Sequence, residues 1–138
     1  MQHNDIGDMY DLAEHRLKVA EEDFETAKSN LEDEHYRAAN NRAYYSIYHS
    51  ICAVFALDNI SYKRHKDTIA NFNKNYVKTE IFSRELGKRI GKAEEVRHNS
   101  DYDDFYVVTK TETVKQLETA EMLLNAVKEY IKNKKSLI

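Results

Sequence analysis

Hydrophobic positions divide the chain into helical lengths. Ala13, Leu17, Ala20, Phe24, Ala27 and Leu31 step by four and three. That spacing predicts an amphipathic first helix whose narrow apolar stripe packs along a neighbour. Asp8 is placed to cap it, with residues 1–7 polar and frayed. A break follows over Asn30–Glu34, with Asp33 as the expected cap of a second helix. From Ala38 to Leu57, apolar and aromatic side chains occupy nearly every angle, so this second helix belongs in the middle of a bundle. It should end at Asp58-Asn59, two turn formers together. Ile69, Phe72 and Tyr76 mark a shorter helix, about His65 to Val77. Phe82, Leu86, Ile90, Ala93 and Val96 mark another, starting near Thr79 or Ser83. The last carries Val114, Leu117, Leu124, Val127 and Ile131, opened by a Thr109–Glu112 capping box and closed by Lys132–Lys135, where cations suit the helix dipole. The expectation is all-α: an up-and-down bundle of four long helices plus one short helix.

Composition sharpens this picture. The chain has 138 residues, no proline and three glycines, with 33% charged residues. One domain with one core, spanning 1–138, fits that length, with residues 133–138 frayed like the first seven. Gly87 and Gly91 lie four apart on one helix face, where each costs about 1 kcal/mol relative to alanine. Close approach to a neighbouring helix is one return on that cost; a local kink is the other. The net charge of −3 gives no global attraction to nucleic acid, so RNA contact would need a local basic patch. No apolar run is long enough to span a bilayer, and the first residues are not a signal peptide, so a soluble, cytoplasmic protein is expected. Cys52, the single cysteine, sits inside the apolar helix as a small core residue.

Candidate chemistry gathers in two stretches. On the second helix Arg42, Tyr45 and His49 fall at i, i+3 and i+7, a polar seam on one face. Such a seam needs partners, because an unpaired buried polar group costs roughly 1–3 kcal/mol. Tyr45 and Tyr48 read more simply as core. The other stretch, Arg97 to Tyr106, ends the third long helix and opens a loop. Arg97 is either a phosphate ligand, through its planar fork, or a loop clasp paired with Asp101 and Asp104. Lys63, Arg64, His65 and Lys66 beside Tyr62 form one basic cluster, and Lys88, Arg89 and Lys92 another. Both could line an RNA cleft; solvated helix faces give the same pattern. Glu95-x-x-His98 and Glu32-x-x-His35 have a di-iron spacing, but two further inward carboxylates are not evident, so no metal site is expected. No cofactor motif is visible.

Two segments, NRAYYSIYHSICAVFAL (41–57) and EEVRHNSDYDDFY (94–106), together resemble the HEPN domain family, above all its small stand-alone prokaryotic members. The resemblance runs from about Met9 to Ile131 and rests on R-A-Y-Y…H in the second helix and R-x-x-x-D-Y-x-D-F-Y after the third. It implies a four- or five-helix bundle, usually a homodimer packed through its long helices. Many members are metal-independent ribonucleases whose motif is an arginine followed, four to six residues on, by a histidine. Some are toxins paired with a nucleotidyltransferase-fold antitoxin, which can add AMP to a tyrosine just after the motif.

Carried onto this chain, Arg97 matches the motif arginine, four residues intervene, and the histidine position falls on Tyr102. Metal-free cleavage needs a base for the 2′-hydroxyl and an acid for the leaving oxygen, both ionising near neutrality. Histidine does so at about 6.5 and tyrosine only at about 10. Tyr102 is thus a poor stand-in, and Asp101 or His49 would have to share the proton transfers. Arg42 and His49 also have six residues between them, but mid-helix, away from the motif's place; a hydrogen-bonded core histidine is the plainer reading. Tyr102 and Tyr106 are the tyrosines open to AMP transfer, or else loop aromatics. The resemblance therefore implies an RNA- or nucleotide-binding HEPN protein, a toxin-type ribonuclease of weakened or lost activity. The alternative is a non-catalytic helical module that assembles with a nucleotidyltransferase-type partner.

Overall fold

The computed structural model describes residues 3–61 and 64–137. Among them are five α-helices: α1 (His3–Glu32), α2 (Tyr36–Leu57), α3 (His65–Phe72), α4 (Arg84–Tyr102) and α5 (Lys110–Lys135). A π-helical turn, Asn73–Val77, prolongs α3, so the expected His65–Val77 segment is helical throughout but changes pitch. Four long helices and one short one form, and no strand occurs among the described residues.

Helix α2 is the centre, packing against α1, α3, α4 and α5. Ala13, Ala20 and Ala27 of α1 are fully buried, and with no side chain beyond Cβ they let the two backbones approach. Ser46 on α2 uses that proximity, donating its hydroxyl to the Ala20 carbonyl at 2.8 Å. Phe55, Phe72, Tyr76 and Phe82 fill the end of the bundle where α2, α3 and the π-turn meet. Phe72 and Tyr76 stack there with centroids 5.4 Å apart.

Where α2 ends, Asp58 gathers the surrounding polar groups. Tyr76 Oη donates to Asp58 Oδ2 at 2.5 Å, Tyr130 Oη donates to the same oxygen at 2.9 Å, and Lys134 Nζ stands 3.7 Å from Oδ1. One carboxylate thereby ties the C-terminus of α2 to the π-turn and the end of α5. Burial, and then the Asp58 carboxylate, push the Tyr130 phenol well above its ordinary range.

Several boundaries differ from the sequence expectations. Asp8 does not cap α1, because the helix begins upstream at His3; the intervening Gly7 costs only about 1 kcal/mol, too little to stop a helix. Residues 3–7 and 133–135 are helical rather than frayed. Asp33 does not cap α2. The chain turns through Glu34 at φ 62°, a left-handed conformation, while the His35 N–H returns to the Asn30 carbonyl at 2.8 Å. This backbone closure makes His35 the residue before α2, with no side-chain cap. Ser83 caps α4 through Leu86 N–H, and the Thr109–Glu112 capping box forms as expected. Gly87 is a close-approach glycine: a Cβ there would lie 2.6 Å from Val77 Cγ1. Gly91 is not, since a Cβ would meet nothing within 4 Å. Cys52 is only partly buried and lines a cavity of about 400 Å³ with Arg16, Tyr48 and Thr68.

Candidate functional site

The site grows from the α2 seam. Asp23 of α1 lies one position before the stripe residue Phe24, and its carboxylate meets the seam between two partners. Arg42 Nη1 donates to Oδ1 at 3.0 Å, and His49 Nδ1 lies 2.9 Å from Oδ2. A carboxylate against Nδ1 favours the proton there, which leaves Nε2 of a neutral imidazole as an acceptor. Asp23 was not singled out in the sequence, although a seam carrying Arg42 and His49 demands a counter-charge from a facing helix.

Tyr45 joins this cluster to α4. The Arg42 guanidinium carbon stands 4.9 Å from the Tyr45 ring centre, and that of Arg97 stands 6.0 Å from the same ring and 5.0 Å from Tyr44. Guanidinium groups near aromatic faces gain from the ring quadrupole. Tyr45 and His49 have centroids 6.1 Å apart. Arg97, Tyr45 and His49 thus form a row, with His49 at the end away from Arg97. Arg97 Nε lies 2.9 Å from Asp101 Oδ2, yet it makes no hydrogen bond. The two charges are close, but the N–H direction misses the oxygen. Among the described residues no acceptor bonds the terminal guanidinium nitrogens.

On its other side Arg97 faces a surface cleft of about 490 Å³, lined by Tyr44 of α2, Lys66 of α3 and Gly91, Glu94, Glu95, His98 and Tyr102 of α4. Gly91 keeps its floor open. Burial pushes the Glu94 carboxyl up, while Arg97, His98 and Lys66 pull it back without cancelling the shift. Burial also raises the Tyr44 phenol to about 12, against the opposing charge of Arg97.

The expected site residues therefore divide. Arg97, Tyr102 and Lys66 share the cleft; Arg42, Tyr45 and His49 do not line it and connect to it through Tyr45, whose ring packs edge-on against Tyr44 of the cleft wall; Asp101 is occupied by Arg97. Arg64 is apart, exposed and paired with Asp67 at 3.0 Å. Lys63 and Tyr62, and the side chain of His65, lie outside the described residues. Arg89 and Lys92 of the second basic cluster are in ion pairs with Glu85, Glu118 and Glu95. Tyr102 is 72% exposed, its ring 4.8 Å from that of His98. Tyr106 is tied down: its hydroxyl donates to the Glu112 carboxylate, which raises the phenol to about 12. Its carbonyl accepts from Arg37 Nη2 at 3.2 Å, and Arg37 Nη1 donates to the Ser100 carbonyl at 2.8 Å. Arg37 thus clamps the end of α4 to the start of α2, a role no sequence pattern announced.

A family model described as "HEPN domain" matches residues 13–130. The chain belongs to the HEPN domain family. It is 31% identical over 125 residues to a UPF0332 protein of Thermotoga maritima, covering 90% of this chain and 94% of that one. Two proteins of Methanocaldococcus jannaschii named as candidate toxins are also similar. One is 29% identical over 121 residues, covering 88% of this chain and 82% of the relative; the other is 31% identical over 116 residues, covering 84% and 86%. In this HEPN chain Arg97 and Tyr102 both line the cleft. No helix among the described residues is long and apolar enough to cross a membrane.

Proposed function

We propose that this HEPN protein binds RNA through the α2–α4 cleft, with Arg97 as the phosphate ligand, and that it is of the ribonuclease-toxin type. The observation that carries the proposal is the Arg97 guanidinium, held over Tyr44 and Tyr45 beside an open cleft, its terminal nitrogens unbonded among the described residues. A guanidinium fixed in that way presents the fork that matches phosphate oxygens. Lys66 adds a second cation across the cleft, Tyr102 adds an exposed ring on which a base can stack, and the Arg42–Asp23–His49 cluster braces the back wall. Asp101, paired with Arg97, and His49, paired with Asp23, hold supporting places in this reading. The two relatives named as candidate toxins agree with it. The test is fluorescence anisotropy of a labelled single-stranded RNA oligomer in EDTA. Wild-type protein should bind, and Arg97→Ala should lose about tenfold or more in affinity; equal affinity would refute the assignment.

A second reading is favoured by one feature. Tyr102, Phe105 and Val107 are 72%, 94% and 77% exposed along the α4–α5 connection, more apolar surface than a short link needs. In this reading the connection docks a second copy of the chain or a nucleotidyltransferase-type antitoxin, and Tyr102, the open tyrosine of the pair, receives AMP rather than Tyr106. Light scattering of wild type and Phe105→Glu decides between a dimer and a monomer. A tight complex with a nucleotidyltransferase, together with no RNA binding, would replace the first reading.

A further inference from the structure

The motif histidine is absent, yet the cleft holds another set of groups able to move protons. We infer that Glu94 and His98 are the catalytic base and acid of RNA cleavage in this cleft, acting on either side of a phosphate held by Arg97. The inference rests on the proposed RNA-binding reading and goes beyond it by assigning the chemistry.

Geometry is the first support. Glu94, Arg97 and His98 stand at i, i+3 and i+4 on α4, so they share one helix face. All three line the same cleft, with Lys66 of α3 opposite and Tyr44 of α2 behind. Tyr102 and Glu95 complete the charged and titratable groups around it. The places of the groups suit the task. Glu94 is half-buried and has no hydrogen-bond or ion-pair partner within contact distance among the described residues, unlike Asp23, Asp58, Asp101 and Glu112, which are all engaged. A carboxylate at the wall of a cleft with no protein partner among the described residues is available to a substrate hydroxyl. Its raised ionisation moves it towards the range in which a general base is efficient at neutral pH. His98 is exposed at the rim, beside the position a leaving oxygen would occupy when the phosphate sits on Arg97. Imidazole is the side chain suited to donate a proton near neutrality.

The step balances. The 2′-hydroxyl loses its proton to the Glu94 carboxylate as its oxygen bonds to phosphorus. The bond from phosphorus to the 5′-oxygen breaks, and that oxygen takes a proton from the His98 imidazolium. The products are a 2′,3′-cyclic phosphate and a 5′-hydroxyl, and exchange with water restores both residues. Arg97 and Lys66 compensate the charge that builds on the phosphate oxygens. DNA, lacking the 2′-hydroxyl, would bind without being cut.

The test uses the full chain, EDTA and a labelled single-stranded RNA oligomer, alongside its 2′-O-methyl analogue, which binds but cannot react. Wild type should cut the RNA with a bell-shaped pH profile. The acidic limb should lie above the ordinary carboxylate range, because the base must be deprotonated and its ionisation is raised. Glu94→Gln should slow cleavage about 100-fold and abolish the acidic limb. His98→Asn should slow it comparably and abolish the alkaline limb. Both variants should keep the wild-type circular dichroism spectrum and bind the analogue within about twofold of wild type. Cleavage by both variants at the wild-type rate, or binding of the analogue without any cleavage by wild type, would overturn the assignment while leaving RNA binding intact. Failure of wild type to bind the analogue would overturn the RNA reading itself.

Discussion

Two regions along α2 treat charge in opposite ways. At its C-terminal end Asp58 is saturated: two tyrosine hydroxyls share one oxygen and a lysine stands by the other. Midway along α2, at the Tyr44–Tyr45 pair, Arg97, Glu94 and Lys66 face a cleft with their hydrogen-bonding capacity largely unspent. Both regions use the same residue types: tyrosine, a carboxylate, a long cation. The difference is satisfaction. A polar cluster whose members complete one another holds helices together, and further ligands have nothing to add. A cluster left incomplete beside a cavity is where a ligand's polar groups can be accommodated. Side-chain identity alone does not distinguish the two; the count of partners does.

The largest effects expected lie at the saturated end. Asp58→Ala should destabilise the fold by about 3 kcal/mol, since two tyrosine hydroxyls lose a charged acceptor in a partly buried place. Urea denaturation reads this, and a loss below about 0.5 kcal/mol would place the knot among decorative contacts. Next in size is a pair of glycine substitutions. Gly87→Ala should cost about 1–3 kcal/mol, because its Cβ would fall 2.6 Å from Val77 Cγ1 and force the π-turn outward. Gly91→Ala should instead be neutral or stabilise by up to about 1 kcal/mol, since the added methyl meets open space in a helix interior. Equal effects from the two would contradict the contrast between a packed and an open turn of α4.

Smaller effects come from titration. Tyr44, raised to about 12 by burial, keeps its proton in the folded state after the unfolded chain has lost it near its ordinary value. Its contribution is complete below about pH 10 and declines as pH climbs from there towards 12. Tyr44→Phe should therefore flatten the alkaline arm of the stability curve. Glu112 behaves in the reverse sense. Burial acts upward on it, but hydrogen bonds from Tyr106 and Thr109, with the charge of Lys92, hold it below its ordinary value. Its contribution is present above the ordinary carboxylate range and is lost as pH falls through the lowered one. Glu112→Gln should leave stability near pH 7 slightly reduced and the acid arm shallower.

The fold was largely legible because it rests on periodicity. The alanine stripe of α1 predicted a helix that packs along a neighbour, the apolar run of α2 predicted a central helix, and the Thr109–Glu112 box placed the start of α5 within the sequence. Legibility failed where backbone geometry decides. Glu34 enters the left-handed region without being glycine or asparagine, so Asp33 looked like a cap that the turn does not use. For the site, the Arg42–Tyr45–His49 spacing marked a seam that meets Arg97 at Tyr45, whereas Tyr102 stacks beside His98 away from it. Asp23, Arg37 and Glu94 were hidden because their roles depend on partners 19 to 69 positions away or, for Glu94, on the absence of one.

The contrast between the Asp58 knot and the Arg97 cleft is tested most directly by chemical-shift mapping of the isotope-labelled protein with a single-stranded 2′-O-methyl RNA oligomer. The account predicts shifts concentrated at Lys66, Gly91, Glu94, Arg97 and His98, with Tyr76, Tyr130 and Lys134 around Asp58 unmoved. Shifts centred on Asp58, or none at Arg97 at saturating oligomer, would contradict it.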